Sequence, residues 1–338
     1  MKRQYIHISS VLLSVIALTT IIGCSSGDEQ ADSVVTQLVL KGSINNHPST
    51  RCATTTLMNA FSSTPVNVYL FDNTGAAVGT SPMEYTANSD GSMTPSNGDN
   101  IYLPDNITGV DVYAVYPIVS TNTTALAQNN GTITHTVQLD QRSDASYLAS
   151  DLLFAKVNAP KVDAVGNIIS KNLVFNHLMA KILVNITLKP KEIKLWGIEI
   201  VNAYHTVTFT PSTYTFGYSL TGFTNLDKGD ETAAGRIIIN KKSDSGDENL
   251  ADADGKIENQ IALIPPQRFG VDEIETNFIR IDTSAGVAWY PINGIVDFLP
   301  GCTYTLNLAV RTDAIGTISV VHDWELGSTD PIQGTVNL

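Results

Sequence analysis

An all-β fold is predicted by two observations. Short runs rich in Val, Ile, Thr and aromatic residues recur about eight to twelve residues apart, separated by Gly, Pro, Asn and Asp turn signals. Helical periodicity is nearly absent, so sandwiches of antiparallel sheets are expected rather than bundles or α/β layers. With 338 residues, 43% of them hydrophobic and 16% charged, the chain can bury substantial cores and has room for two domains of ordinary size.

The chain opens on a leader. Lys2 and Arg3 give a positive start, and residues 8–22 form an apolar run too short for a comfortable membrane span, so residues 1–23 read as a lipoprotein signal peptide. Gly23 before Cys24, with Ile21 three residues upstream of that cysteine, is the pattern of a bacterial lipobox, in which the Cys24 thiol is acylated. Loss of the leader removes Lys2 and Arg3 and moves the net charge from −13 to −15, which argues against nucleic acid as a partner of the folded part. A small polar and acidic tether follows at residues 25–32.

Residues 34–44 (VVTQLVLKGSI) read as one strand. Val34, Leu38, Leu40 and Ile44 share a face, with Thr36 and Gly42 between them. Each large side chain contributes roughly 1.5 to 3 kcal/mol when buried. A polar loop, NNHPSTR, then places Arg51 before Cys52. Cys24 goes to lipid, which leaves Cys52 and Cys302 either as a disulfide pair or as two free thiols.

Beyond Arg51 strands are expected at residues 65–72, 101–104 (a short edge strand stopped by Pro104), 110–118, 133–139 and 151–157. Residues 144–150 suit one or two helical turns. Val66, Val68 and Leu70 alternate with Asn67, Tyr69 and Phe71, so residues 65–72 form a two-sided strand, which ends in the turn DNTG. Residues 89–100 read as a polar loop. A Pro- and Gly-punctuated link at residues 159–172 suggests a boundary between domains at 52–170 and 171–326. The apolar tract 173–188 is expected as strand, turn and strand, with the turn at residues 177–180. Further strands are expected at 193–201, 206–209, 236–240, 256–264, 274–282, 287–292, 303–310 and 317–326, and a solvated loop at 241–254.

The ordered set of motifs resembles the fimbrillin family of Bacteroidales surface pili, the type V pilins. It comprises the lipobox cysteine, the strand, Thr50-Arg51, Ala114-Val115-Tyr116-Pro117, Phe175-Asn176-His177 leading into Ala180-Lys181-Ile182, Leu299-Pro300-Gly301 before Tyr304, and Trp324. The resemblance implies two tandem transthyretin-like β-sandwich domains and export as an outer-membrane lipoprotein through Cys24. It also implies cleavage after Arg51 by an arginine-specific surface protease and polymerisation with other fimbrial subunits by strand exchange. Residues 24–51 would then be a tether and removable strand. Residues 327–338 are a candidate donor: Ile332, Gly334, Val336 and Leu338 alternate with polar Gln333, Thr335 and Asn337, in the same face pattern as residues 38–44. The other reading is that this tail is the last strand of its own domain.

Catalytic motifs are not found: there is no Gly-x-Ser-x-Gly, His-Glu-x-x-His, Cys-x-x-Cys or phosphate loop, and no enzyme, cofactor or metal is expected. His47, His135, His177, His205 and His322 are scattered singly, and His177 reads as a hydrogen-bonded core residue. Asp252 and Asp254 lack the third acid and closing Glu of a calcium loop. Tyr102, Tyr113, Tyr116, Trp196, Trp289 and Tyr290 define the rival reading, a monomeric surface lipoprotein that binds glycans on exposed aromatic residues.

Overall fold

The computed structural model describes residues 36–45, 60–118, 126, 130–161, 168–270, 276–292, 294–312 and 318–325, all within one compact unit. In chain order the strands are β1 (Thr36–Ile44), β2 (Thr64–Asp72), β3 (Met83–Ala87), β4 (Met93–Pro95), β5 (Ile101–Leu103), β6 (Gly109–Tyr116) and β7 (Ile133–Thr136). A short helix, α1 (Asp144–Ser150), precedes β8 (Leu153–Pro160), β9 (Ile168–His177), β10 (Ala180–Lys189), β11 (Leu195–Ile200), β12 (Tyr204–Phe209), β13 (Phe223–Lys228) and β14 (Ile237–Lys241). The chain continues through β15 (Lys256–Ile264), β16 (Gln267–Phe269), β17 (Thr276–Thr283), β18 (Gly286–Ile292), β19 (Val296–Phe298), β20 (Thr303–Thr312) and β21 (Ile318–Glu325). The protein is therefore all-β, as the sequence predicts. The one α-helix among the described residues forms where its cap does: Ser143 Oγ accepts from the Ser146 amide at 3.1 Å.

The first sheet has the order β4-β3-β2-β6-β8-β9-β1-β5. It turns a corner at β8 and β9, which pair only through Leu153 with His177 and Phe154 with Asn176. Residues from both sides of that corner share one core: Leu38, Leu40, Ile101, Leu173 and Phe175 pack in a cluster with Val66, Val68, Leu70, Val110 and Val112. β9 runs from residue 168 to 177 within this sheet, across the expected boundary at residue 170.

The two-sided character of β2 has a structural cause. Val66, Val68 and Leu70 face the first core, whereas Tyr69 and Phe71 belong to a second. On that second side Phe71, Tyr113 and Phe154 continue into Phe209, Tyr214, Phe216 and Phe223 with ring centroids 5.1–6.1 Å apart. The second core is closed by the sheets β15-β10-β20-β21 and β14-β11-β17-β18, which contribute Ile182, Val184, Leu306 and Leu308 from one and Ile198, Ile200, Ile279 and Ile281 from the other. β7 sits with β12 and β13 in a three-stranded sheet, although it precedes residue 170.

Five strands were not expected. β4, β16 and β19 are three residues long, and β3 five, too short to show a period. β13 is mostly exposed, so it carries no apolar alternation. The residues expected as a polar loop at 89–100 contain β4.

Candidate functional site: an interior strand at the start of the fold

β1 is the first described strand, yet it lies inside its sheet. Along one side it runs parallel to β9 in continuous register, from Gln37 opposite Ile168 to Ile44 opposite Phe175. Along the other it pairs antiparallel with β5, from Thr36 opposite Leu103 to Leu38 opposite Ile101. Where β5 stops, the tip of the β3–β4 hairpin takes over: the Gly42 amide donates to the Gly91 carbonyl at 2.9 Å, and Lys41 bridges Ser92. The Asp90-Gly91 turn that presents this carbonyl is locked by the Ser92 amide donating to Asp90 Oδ1 at 2.9 Å, with Gly91 at φ +81°.

The inward face of β1 fills the first core. Thr36, Leu38 and Leu40 are 0%, 3% and 2% exposed. Gly42 is also buried, and Ile44 packs partly buried against the cluster. Gly42 sits in a crowded place: a Cβ there would stand 3.0 Å from Met93 Sδ, near the end of a flexible side chain, and 3.4 Å from Phe61 Cε2. Phe61 is held in place edge-on to Phe175, with ring centroids 5.0 Å apart. The outward face, Gln37, Val39, Lys41 and Ser43, is half-buried or exposed.

One group in β1 is poorly served. The Thr36 hydroxyl is buried with no hydrogen-bond partner among the described residues, a cost of about 1–3 kcal/mol. Past Ile44, the Asn45 amide donates to the Phe175 carbonyl at 2.7 Å and the Asn45 side chain to Asn176 Oδ1 at 2.7 Å. Of the expected site residues, Leu38, Leu40 and Ile44 are brought together in this groove. Val34, Cys24, Arg51, Cys52, Ile332, Gly334, Val336 and Leu338 lie outside the described residues.

Without β1, the sheet would contain a slot about nine residues long, floored by the first core and walled by Ile169, Leu173 and Phe175 on one side and Ile101 and Leu103 on the other. Both walls would carry backbone groups with no strand to pair with, which is a template for an incoming strand. What sequence reasoning missed is the walls: Met93, Phe61 and Gly91 sit in segments with no strand signal of useful length.

Other singled-out residues are structural. His177 Nδ1 lies 2.9 Å from Asp151 Oδ1, with both side chains buried, so it is a hydrogen-bonded core residue. Asp252 caps its own turn, accepting from the amides of Asp254 and Lys256 at 2.9 and 2.8 Å. Tyr113, Tyr116 and Tyr290 are buried and unavailable as a sugar platform, while Trp196 and Trp289 are half-buried, with the Lys242 ammonium and the Arg280 guanidinium 5.2 and 5.8 Å from their ring centroids. Tyr102 stands exposed beside Gln37 of β1. Cys302 is buried and disulfide-bonded, and the cysteine it bonds lies outside the described residues.

Fold and groove together define an all-β protein whose first described strand completes a sheet from within. Residues 50–324 match the model of the fimbrillin-like family, and the chain belongs to that family. A similar solved structure is a protein of Bacteroides uniformis provisionally assigned to cell adhesion, with 15% identity and a TM-score of 0.50 over 88% of this chain and 99% of that one. Another, from Bacteroides ovatus and assigned in the same way, has 13% identity and a TM-score of 0.49 over 87% and 98%. The tip fimbrial protein Mfa3 of Porphyromonas gingivalis, with a C-terminal truncation, has 12% identity and a TM-score of 0.45 over 86% and 98%. No curated protein matches the chain.

Proposed function

We propose that this protein is a structural subunit of a cell-surface fimbrium, exported as an outer-membrane lipoprotein through Cys24, cut after Arg51 by an arginine-specific surface protease and polymerised with other fimbrial subunits by strand exchange. The observation that carries the reading is the interior position of β1. An edge strand could leave with little consequence, whereas loss of an interior one opens a groove with two unpaired walls. Membership of the fimbrillin-like family and the adhesion and fimbrial assignments of the similar structures support it. Arg51 follows β1 by seven residues and precedes the strands 64–325, so one cut there would separate β1 covalently from the rest of the chain.

Cleavage by itself ejects nothing, because Leu38, Leu40 and their neighbours hold β1 by burial. A competing strand must replace it. Residues 332–338 of a neighbouring subunit are that strand, and the resulting head-to-tail contact does not close on itself, so it builds a filament. Two β-sandwich domains would stack along it, and the surface they present would support adhesion. No catalytic step is required of the chain.

The test is the N-terminus of the mature protein recovered from the cell surface, by intact mass and terminal sequencing. A start at Cys52 is expected. A start at acylated Cys24 with Arg51 intact would overturn the reading in favour of an anchored, non-polymerising lipoprotein.

A further inference from the structure

We propose that the incoming strand enters the β1 groove in the opposite direction to β1, antiparallel to β9, with Gly334 in the place of Gly42 fixing its register. This rests on the strand-exchange reading above and adds to it a direction, a register and a residue that determines them.

The argument starts from the tight spot in the groove. At Gly42 the wall is Met93 and Phe61, both buried, with no room for a Cβ unless Met93 gives way by some tenths of an ångström. A larger, branched side chain has no place there. The donor segment IQGTVNL has one glycine, Gly334, so Gly334 must occupy that position. A slip of two residues would drive Ile332 or Val336 into Met93 and Phe61, and a slip of one would turn the whole apolar face to solvent.

Two directions remain once the glycines coincide. In the direction of β1, Ile332 takes the place of Leu40 and Val336 that of Ile44. Asp330 then falls on the site of Leu38, which is 3% exposed among Ile101 and Ile169, and Pro331, which has no N–H to give a ladder, falls on that of Val39. In the reverse direction Ile332 takes the place of Ile44, Val336 that of Leu40 and Leu338 that of Leu38. All four inward positions from 38 to 44 then match in polarity and closely in size, with no charged side chain buried.

Reversal also gives the exchange a direction in energy. The long pairing of the groove is with β9, and β1 makes it as a parallel ladder. A reversed donor makes it antiparallel, the pairing that is slightly more stable per residue. It leaves the place of Thr36, whose buried hydroxyl has no partner in β1, unfilled, and it meets β5 in parallel at the place of Leu38.

Disulfide trapping between subunits tests this. Lys41 is opposite Asn172, and Ser43 is opposite Val174, all on the outward face of the sheet. A reversed donor sets Thr335 beside Asn172, and a donor running as β1 does sets it beside Val174. In trimmed protein that has polymerised, Thr335→Cys with Asn172→Cys is expected to give covalent ladders on non-reducing gels, and Thr335→Cys with Val174→Cys only background. The opposite pattern overturns the direction and leaves strand exchange standing. Polymers that ladder with neither pair, or trimmed protein that never polymerises, overturn strand exchange into this groove and the inference with it. Gly334→Val is expected to cut polymer yield about tenfold or more while the monomer stays folded, since overpacking a closed site costs one or two powers of ten in equilibrium. Assembly at the unsubstituted level would overturn the glycine register.

Discussion

His135 donates from Nε2 to the carbonyl of Ser150, 3.0 Å away, from a ring with no solvent exposure. The bond ties β7 to the last residue of α1. Burial holds the imidazole pKa below its ordinary value, against the opposing pull of the Ser150 carbonyl and of Asp151. His205 is lowered in the same way, chiefly by burial. The unfolded chain takes up these protons near the ordinary histidine value of about 6.5, while the folded chain does not. Stability is therefore complete above about pH 6.5 and declines as the pH falls below it towards the lower folded values. Melting temperature measured from pH 7.5 to 5 is expected to stay level and then drop. His135→Gln should lower the neutral-pH value and shrink the drop.

Leu40 is 2% exposed in the first core, and its truncation leaves a cavity. Leu40→Ala is expected to cost the uncut protein about 2–5 kcal/mol in urea unfolding. Protein cut after Arg51 and stripped of β1 should unfold at the same urea concentration whether it derives from the variant or not. An equal loss in both forms would mean that β1 does not leave.

The face of β1 was legible because a period of two writes Leu38, Leu40 and Gly42 onto one side, and a strand buried on one face must show that alternation. The partners of β1 were not. β9 lies some 130 residues downstream in parallel register, a pairing that no local period encodes, and β5 and the Gly91 turn are too short to leave a pattern. The strand–turn–strand through His177 was readable from β-branched content, and residues 144–150 suited a helical turn or two, but the Ser143 cap that fixes the helix was not singled out. β13 was silent because only Phe223 and Asn225 are partly covered, too few positions to write an alternation. The place of β7 beside β12 was invisible too, since Thr136 and Thr206, whose hydroxyls lie 2.8 Å apart, meet across 70 residues of chain.

Gln141 stands in for a missing strand. β15 is the edge of its sheet, and the buried Gln141 amide pairs with Leu263 as a neighbouring backbone would: Oε1 accepts from the Leu263 amide at 2.8 Å, and Nε2 donates to the Leu263 carbonyl at 2.9 Å. Gln141→Ala removes both partners of a buried peptide unit. The expected loss is about 2 kcal/mol or more by urea denaturation, with faster hydrogen exchange at the Leu263 amide. Exchange at Leu263 unchanged from the parent protein would refute the role.

Glu199 separates buried from exposed charge within this one chain. Its Oε2 accepts from Arg236 Nη1 at 3.1 Å and from Arg280 Nη1 at 2.9 Å, and all three side chains are under 20% exposed. Arg280 also reaches Asp282 and lies 5.8 Å from the centroid of the Trp289 ring, so it cannot turn to solvent without giving up both. Replacing Glu199 leaves two guanidinium groups with too little countercharge, and a broken buried pair typically costs about 3–5 kcal/mol. The Arg142–Asp140 pair is shorter, at 2.6 Å, but 41% and 49% exposed, where water and salt do most of the screening. Glu199→Ala is therefore expected to lower the urea midpoint strongly and Asp140→Asn by less than about 1 kcal/mol, with only the second loss shrinking in 1 M salt. Equal losses in the two variants would mean that burial, not contact distance, has been given too much weight in ranking them.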